Sequence, residues 1–224
     1  KKKLMVIFRG INLEYFNTNN ISKKKLNNLA VSWKIDKKNF IILLPGRLTK
    51  WKGQEVFIES LNLLLEEHNR ENFHAIILGS DQGREVYSKK LLLLVERYRL
   101  KKKITFIEGC KEMPLAYKLS DLVVSSSIEP EAFGRVAVEA QAMKKPIVVS
   151  DIGGSRETVL NGKSGLFYKY NDPKELAKAI NKVMKLDKKS LVLMGEQGRK
   201  NVEKKFNVDQ MCQTTFTEYK KLLK

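Results

Sequence analysis

Cysteine, histidine and long apolar runs are all scarce in this chain of 224 residues. The two cysteines, Cys110 and Cys212, stand far apart, so no disulfide framework is expected and a reducing cytoplasm fits. The two histidines, His68 and His74, do not combine with them in a zinc-like spacing. No apolar run approaches the ~18 residues that would span a membrane. Lys1-Lys2-Lys3 leads only into Leu4-Met5-Val6-Ile7-Phe8, too short an apolar core for a secretory signal. Gly-x-Gly-x-x-Gly occurs nowhere. Gly162-Lys163-Ser164 ends no P-loop, because that pattern needs glycine at 157, where Glu157 stands. No Asp-x-Asp pair offers a metal clamp, so no metal is expected.

What remains is enough for one well-packed α/β domain, with 42% hydrophobic residues. The net charge is +18. Of the 43 cationic residues, nine are Arg and 34 are Lys. The lysines are dispersed, at 1–3, 23–25, 101–103, 188–189, 204–205 and 220–221. Nucleic-acid readers concentrate Arg and aromatics on one face, so nucleic acid is not an expected partner. The plain reading is a lysine-biased solvated surface. The functional one is attraction to an anionic membrane, which would put the protein at the inner face of the membrane.

Short apolar runs alternate with helical patterns along the chain. Strands are expected at 4–8, 40–44, 74–78, 104–107, 122–125, 147–149 and 166–168. Ser22 is placed to cap a helix over 23–33. Phe57, Leu61, Leu64 and Leu65 make a buried helical stripe, and a helix over 84–99 should turn residues 91–95 to the core. Ser155 is expected to cap the helix holding Arg156 and Glu157. Helices are also expected at 113–120, from Pro173, over 188–205 and over 208–223. The alternation implies an α/β fold with a doubly wound parallel sheet of about six strands.

Two stretches carry chemistry. The first follows the run ending in Ser125-Ser126-Ser127: Glu131-Ala132-Phe133-Gly134-Arg135-Val136-Ala137-Val138-Glu139. A helix starting near Gly134 leaves its first N–H groups unpaired and favours an anion there. Glu131 stands before this seat, and Glu139 lies about two turns after Glu131. Acids flanking an anion seat suit a ligand with phosphate in the middle and hydroxyls on both sides, as in a sugar nucleotide. The second is Gly46-Arg47-Leu48-Thr49-Lys50-Trp51-Lys52-Gly53, which puts Arg47 and Lys52 after a strand, where open α/β sheets bind ligands. Arg offers a planar fork to two phosphate oxygens and Lys a mobile point charge.

Glu-x7-Glu enclosing Phe133-Gly134, with Glu129-Pro130 before it and Gly153-Gly154-Ser155-Arg156-Glu157 after it, resembles the signature of family 4 of the retaining glycosyltransferases. Gly-Arg-x4-Lys-Gly is similar to that family's second motif, and Gly10-Ile11-Asn12 with Phe16 to its interdomain segment. The resemblance implies a Rossmann-like domain that is one half of a GT-B fold. It divides the chain into a linker segment (1–21), a donor-binding domain (22–207) and a C-terminal crossover helix (208–224). Only the donor half is covered, and 224 residues are too few for two such domains. The N-terminal half is therefore expected to be missing.

The implied activity is metal-independent transfer of a sugar, with retention, from a nucleoside-diphosphate sugar to an acceptor hydroxyl. Polysaccharide or glycolipid synthesis in the cell envelope is the implied setting. The resemblance assigns the diphosphate to Arg47, Lys52, Gly134, Arg135 and Val136. It assigns the donor sugar to Glu131, Ala132 and Phe133, and the ribose to Glu139. It assigns the base pocket to Gly79, Gly109, Cys110, Lys111 and Met113. Glu131, Arg47 and Lys52 are the candidate catalytic groups, and no cofactor besides the donor substrate is implied. A binding module inactive without its other half, or a GT-B nucleotide-sugar epimerase, are the alternatives.

Overall fold

The computed structural model describes residues 4–223. Six parallel strands form one sheet in the order β3-β2-β1-β4-β5-β6, namely β1 (Phe40–Pro45), β2 (Phe73–Leu78), β3 (Ile104–Ile107), β4 (Leu122–Ser125), β5 (Ile147–Ser150) and β6 (Gly165–Tyr168). Parallel strands covered on both faces read as continuous apolar runs, and β1 does so. Ile42 and Leu44 enter one core, while Ile41 and Leu43 enter the other. Helices α2 (Gln54–Glu66), α3 (Glu85–Arg97) and α7 (Pro173–Met184) cover the first face. Helices α1 (Lys23–Ser32), α4 (Met113–Leu119), α5 (Arg135–Ala142) and α8 (Lys188–Lys205) cover the second. The expected doubly wound sheet is thus present. A one-turn helix, α6 (Ser155–Thr158), and a final helix, α9 (Val208–Leu222), complete the chain. Among the described residues, no helix is long and apolar enough to cross a membrane.

The order of strands sets the site. The chain reverses direction across the sheet at β1, which pairs with β2 on one side and β4 on the other. The loops leaving β1 and β4 diverge there, and ligands of open α/β sheets bind in such a crevice.

Four local expectations are corrected. Residues 4–8 form no strand, because no sheet edge lies beside them; Leu4 and Val6 are exposed. The segment is instead anchored at Ile11, whose N–H donates to Phe206 O (2.8 Å) and whose carbonyl accepts from Val208 N–H (3.1 Å). In α3 only Leu91 and Val95 are buried, while Leu92 and Leu93 are exposed. Five consecutive apolar residues exceed one helical turn, so they cannot all face one side. The run 40–44 continues through Pro45, which is the last residue of β1. Ser155 is the first residue of α6 and Gly154 holds the cap position, without a side-chain hydrogen bond. The Ser22 cap is as expected: its hydroxyl accepts from Lys25 N–H.

Lys145 follows α5, and its ammonium donates to the carbonyls of Lys118 (3.1 Å) and Ser120 (2.6 Å). Burial lowers its pKa to about 8, against an opposing pull from Asp121. The folded protein therefore gives up this proton earlier than the unfolded chain does. Between about pH 8 and 10.5 the unfolded state holds more protons, so stability from this group rises with pH. Urea unfolding of the parent and of Lys145→Met across this window should diverge, with the parent gaining up to ~3 kcal/mol relative to the variant. Parallel curves would show that Lys145 is not strained by burial.

Candidate functional site

Three loops at the carboxyl edge of the sheet are fastened to one another through backbone groups. The loop after β1 carries a short 3₁₀ turn, Lys50–Lys52, and ends at Gly53 with φ 68°. The Ser126 hydroxyl donates to the carbonyls of Lys52 (3.0 Å) and Gly53 (3.0 Å). Ile128 N–H donates to Trp51 O (2.8 Å). A Cβ at Gly53 would stand 1.9 Å from Ser126 O, so only glycine lets these loops approach. The loop after β5 closes the set: Gly154 N–H donates to Glu131 O (2.7 Å). A Cβ at Gly154 would lie 2.8 Å from Ala132 O and 2.9 Å from Phe133 Cα, so the glycine pair seats the stretch that precedes α5.

Within this frame the acids and cations form two pairs. Lys52 Nζ donates to Glu131 Oε1 at 2.8 Å, both side chains being about 85% buried (13% and 15% exposed). Ser127 Oγ donates to the same oxygen, and Lys52 Nζ lies 4.3 Å above the Trp51 ring. Glu139 is only 6% exposed. Its Oε1 accepts from Arg135 Nε (2.6 Å) and its Oε2 from the Tyr117 hydroxyl (2.8 Å). Tyr117 is fully buried, and burial, with the Glu139 charge beside it, holds its hydroxyl pKa well above 10. That hydroxyl is a fixed donor to Glu139 at any working pH.

The start of α5 is bare. Gly134 caps it at φ 73° without a side-chain hydrogen bond. Ala137 N–H donates back to Gly134 O (2.9 Å), but the N–H groups of Gly134, Arg135 and Val136 have no partner among the described residues. A cleft of about 560 Å³ opens there, lined by Glu131, Ala132, Phe133, Gly134 and Arg135, with Asn12 and Tyr15 opposite.

Not every expected residue joins this group. Arg47 is exposed and borders a different cleft, with Trp51 and the start of α3. It and Lys52 leave one loop but do not line one cleft, because Lys52 is drawn to Glu131. Gly79 sits where two strand ends touch, since a Cβ there would meet Gly46 O at 2.0 Å. Gly109 has open space around it, Cys110 is half-buried and donates to Glu112 O (3.3 Å), Lys111 is exposed and Met113 begins α4. Burial raises the Cys110 thiol pKa, which disfavours the thiolate. Two participants were missed, Ser127 and Tyr117. Ser127 was visible as the end of a small polar run four residues before Glu131. Nothing in the spacing pointed to Tyr117, which is 22 residues before Glu139 and meets it only because α4 and α5 share the core on one face of the sheet.

Residues 27–201 match the family described as "Glycosyl transferases group 1". An uncharacterised glycosyltransferase of Methanocaldococcus jannaschii is 31% identical over 219 residues, covering 97% of this chain and 54% of that protein. A glycosyltransferase from Rickettsia africae superposes with a TM-score of 0.94 at 31% identity, covering 99% of this chain and 58% of that one. Anabaena HepE, solved with UDP and glucose and also with UDP-glucose, superposes with a TM-score of 0.87 at 26% identity. It is covered over 57% of its length. The chain thus spans about half the length of the relatives it matches. With its sheet, its paired motifs and these likenesses together, the chain belongs to the group 1 glycosyl transferases and has the fold of one half of a GT-B enzyme.

Proposed function

We propose that this chain holds the nucleoside-diphosphate sugar of a retaining, metal-independent glycosyltransferase, and that the acceptor, a glycan or glycolipid, is bound largely by a second domain. The observation that carries the reading is the arrangement around α5: a bare helix start, with Glu131 and Lys52 before it and Glu139 about one turn inside. The likeness to HepE, solved with UDP-glucose, supports a donor of this class.

As the bond between the sugar and the diphosphate breaks, negative charge gathers on phosphate oxygen. Donors already aimed at that charge stabilise the transition state without reorganisation. Lys52 and the unpaired N–H groups of Gly134, Arg135 and Val136 are such donors. Arg47 has no carboxylate partner among the described residues and is free to turn toward the same charge. Their positive charge takes the place a metal would fill. Each acid then changes partners: Lys52 moves to phosphate while Glu131 accepts from sugar hydroxyls, and Arg135 releases Glu139 Oε1 to the ribose. Tyr117 keeps Glu139 Oε2 throughout, so the carboxylate stays aimed as the exchange occurs. Neither acid needs to act as a covalent nucleophile.

The two acids are separable by calorimetry with UDP and UDP-glucose. A hydrogen bond to a charged group is worth ~1.5–3 kcal/mol. Glu139→Ala should therefore weaken both ligands by roughly ten- to a hundredfold. Glu131→Ala should leave UDP nearly unchanged and weaken UDP-glucose. Equal losses of UDP in both variants would refute the assignment.

Tyr117→Phe tests the aiming hydroxyl. The variant should unfold ~1–3 kcal/mol more easily, because a buried carboxylate loses a partner, and should bind both ligands several-fold less tightly. A stability loss with unchanged binding would make Tyr117 a packing residue only.

Metal independence is checked directly. UDP-glucose binding by this chain should be the same in excess chelator and in excess Mg²⁺. A tenfold or larger gain on adding Mg²⁺ or Mn²⁺ would overturn that part of the reading.

A further inference from the structure

The donor reading leaves one large feature unused. A cleft of about 730 Å³ lies on the other side of the loop after β1, between that loop and the start of α3. Its size suits one or two sugar rings, since small-molecule sites run to roughly 300–1,000 Å³. Lys50 and Arg84 line it, and neither has a carboxylate partner among the described residues. Arg84 occupies the cap position of α3 and gives that helix no side-chain cap. The first N–H groups of α3, at Glu85 and Val86, have no backbone partner, while Tyr87 and Ser88 donate to Arg84 O. The acids at this end are committed elsewhere. Glu85 pairs with Lys89, Glu55 pairs with Lys90, and Asp81 accepts from Gly83 N–H and the Ser88 hydroxyl.

A second, independent observation lies in the wall. Thr49 is 7% exposed, and its buried hydroxyl is one of two buried side-chain polar atoms left without a hydrogen-bond partner among the described residues. An unpaired buried hydroxyl costs free energy unless something supplies its bond. Thr49 is itself among the residues that line the cleft. Trp51 and Tyr87 add aromatic surface of the kind on which the C–H face of a sugar ring rests. Cations with a bare helix start call for an anion, and aromatic rings with an orphan hydroxyl call for a sugar.

We propose that this cleft is a binding site for a phosphorylated sugar, separate from the donor site and occupied together with it. Arg84, Lys50 and the start of α3 take the phosphate; Trp51, Tyr87 and Thr49 take the ring. Arg47, on the rim, is left to the donor. Apart from Arg47, which also lines this cleft, and Trp51, whose ring lies beneath Lys52 Nζ, the site stands on residues that the donor reading does not use.

Calorimetry with glucose 6-phosphate, on the chain saturated with UDP, tests this. Glucose 6-phosphate should bind in the presence of UDP, with glucose and inorganic phosphate each at least tenfold weaker. Arg84→Glu and Lys50→Glu should each weaken it tenfold or more. Thr49→Val should weaken it several-fold. All three variants should keep the parent affinity for UDP and the parent circular dichroism. Both charge reversals sit on exposed side chains, so the fold survives them. Competition by UDP, equal binding of glucose, parent-like affinity in Arg84→Glu, or retention on phosphatidylglycerol vesicles with no response to glucose 6-phosphate would each overturn the proposal. Failure of UDP to bind, with glucose 6-phosphate binding intact, would instead sink the donor reading and leave this site standing.

Discussion

The contact between Gly53 and the backbone at Ser126 is the constraint on which the site depends. It joins the loop after β1 to the loop after β4, across the point where the sheet reverses direction. The Ser126 hydroxyl and Ile128 N–H hold the first loop to the second, and the Glu131 carbonyl, accepting from Gly154, holds the second to the third. These are bonds between backbone groups or to them, so they fix the loops whatever ligand the side chains meet. Side chains carried by such a frame lose little further freedom on binding, which is where preorganisation gains affinity.

The frame lets a protein of net charge +18 keep a locally balanced site. Lys52 with Glu131 and Arg135 with Glu139 are compact pairs, the first about 85% buried on both sides. A buried ion pair contributes little net stability, because desolvation offsets much of the attraction. Its value here is in being exchangeable. A ligand with phosphate at its centre and hydroxyls at its ends offers each charge a new partner of the right kind. The dispersed lysines, by contrast, lie mostly on exposed faces, where screening leaves them a solvating role.

Much of the fold was legible along the chain. Of the seven apolar runs read as strands, six are strands of the sheet, because burial on both sides of a parallel sheet demands continuous apolar strands. The start of α1 was readable because a short polar side chain, Ser22, caps it, whereas Ser155 turned out to be the first residue of α6. The misreadings share a cause. Residues 4–8 look like a strand, but pairing needs a neighbour, and the sheet has no place beside them. Residues 91–95 look buried, but a helix shows one face to the core.

The sequence by itself determined the order of strands and helices, the glycines at the loop ends, and the two motifs that hold Arg47, Lys52, Glu131 and Glu139. These follow from periodicity, turn chemistry and propensity, which act between near neighbours in the chain. Only the tertiary structure decided which side chains meet. It put Tyr117 on Glu139, drew Lys52 to Glu131 and away from Arg47, and left Thr49 beside a cleft that no motif marks. Such meetings depend on how elements tens of residues apart pack across a sheet. That packing is set by the fit of whole faces, and no local pattern carries it.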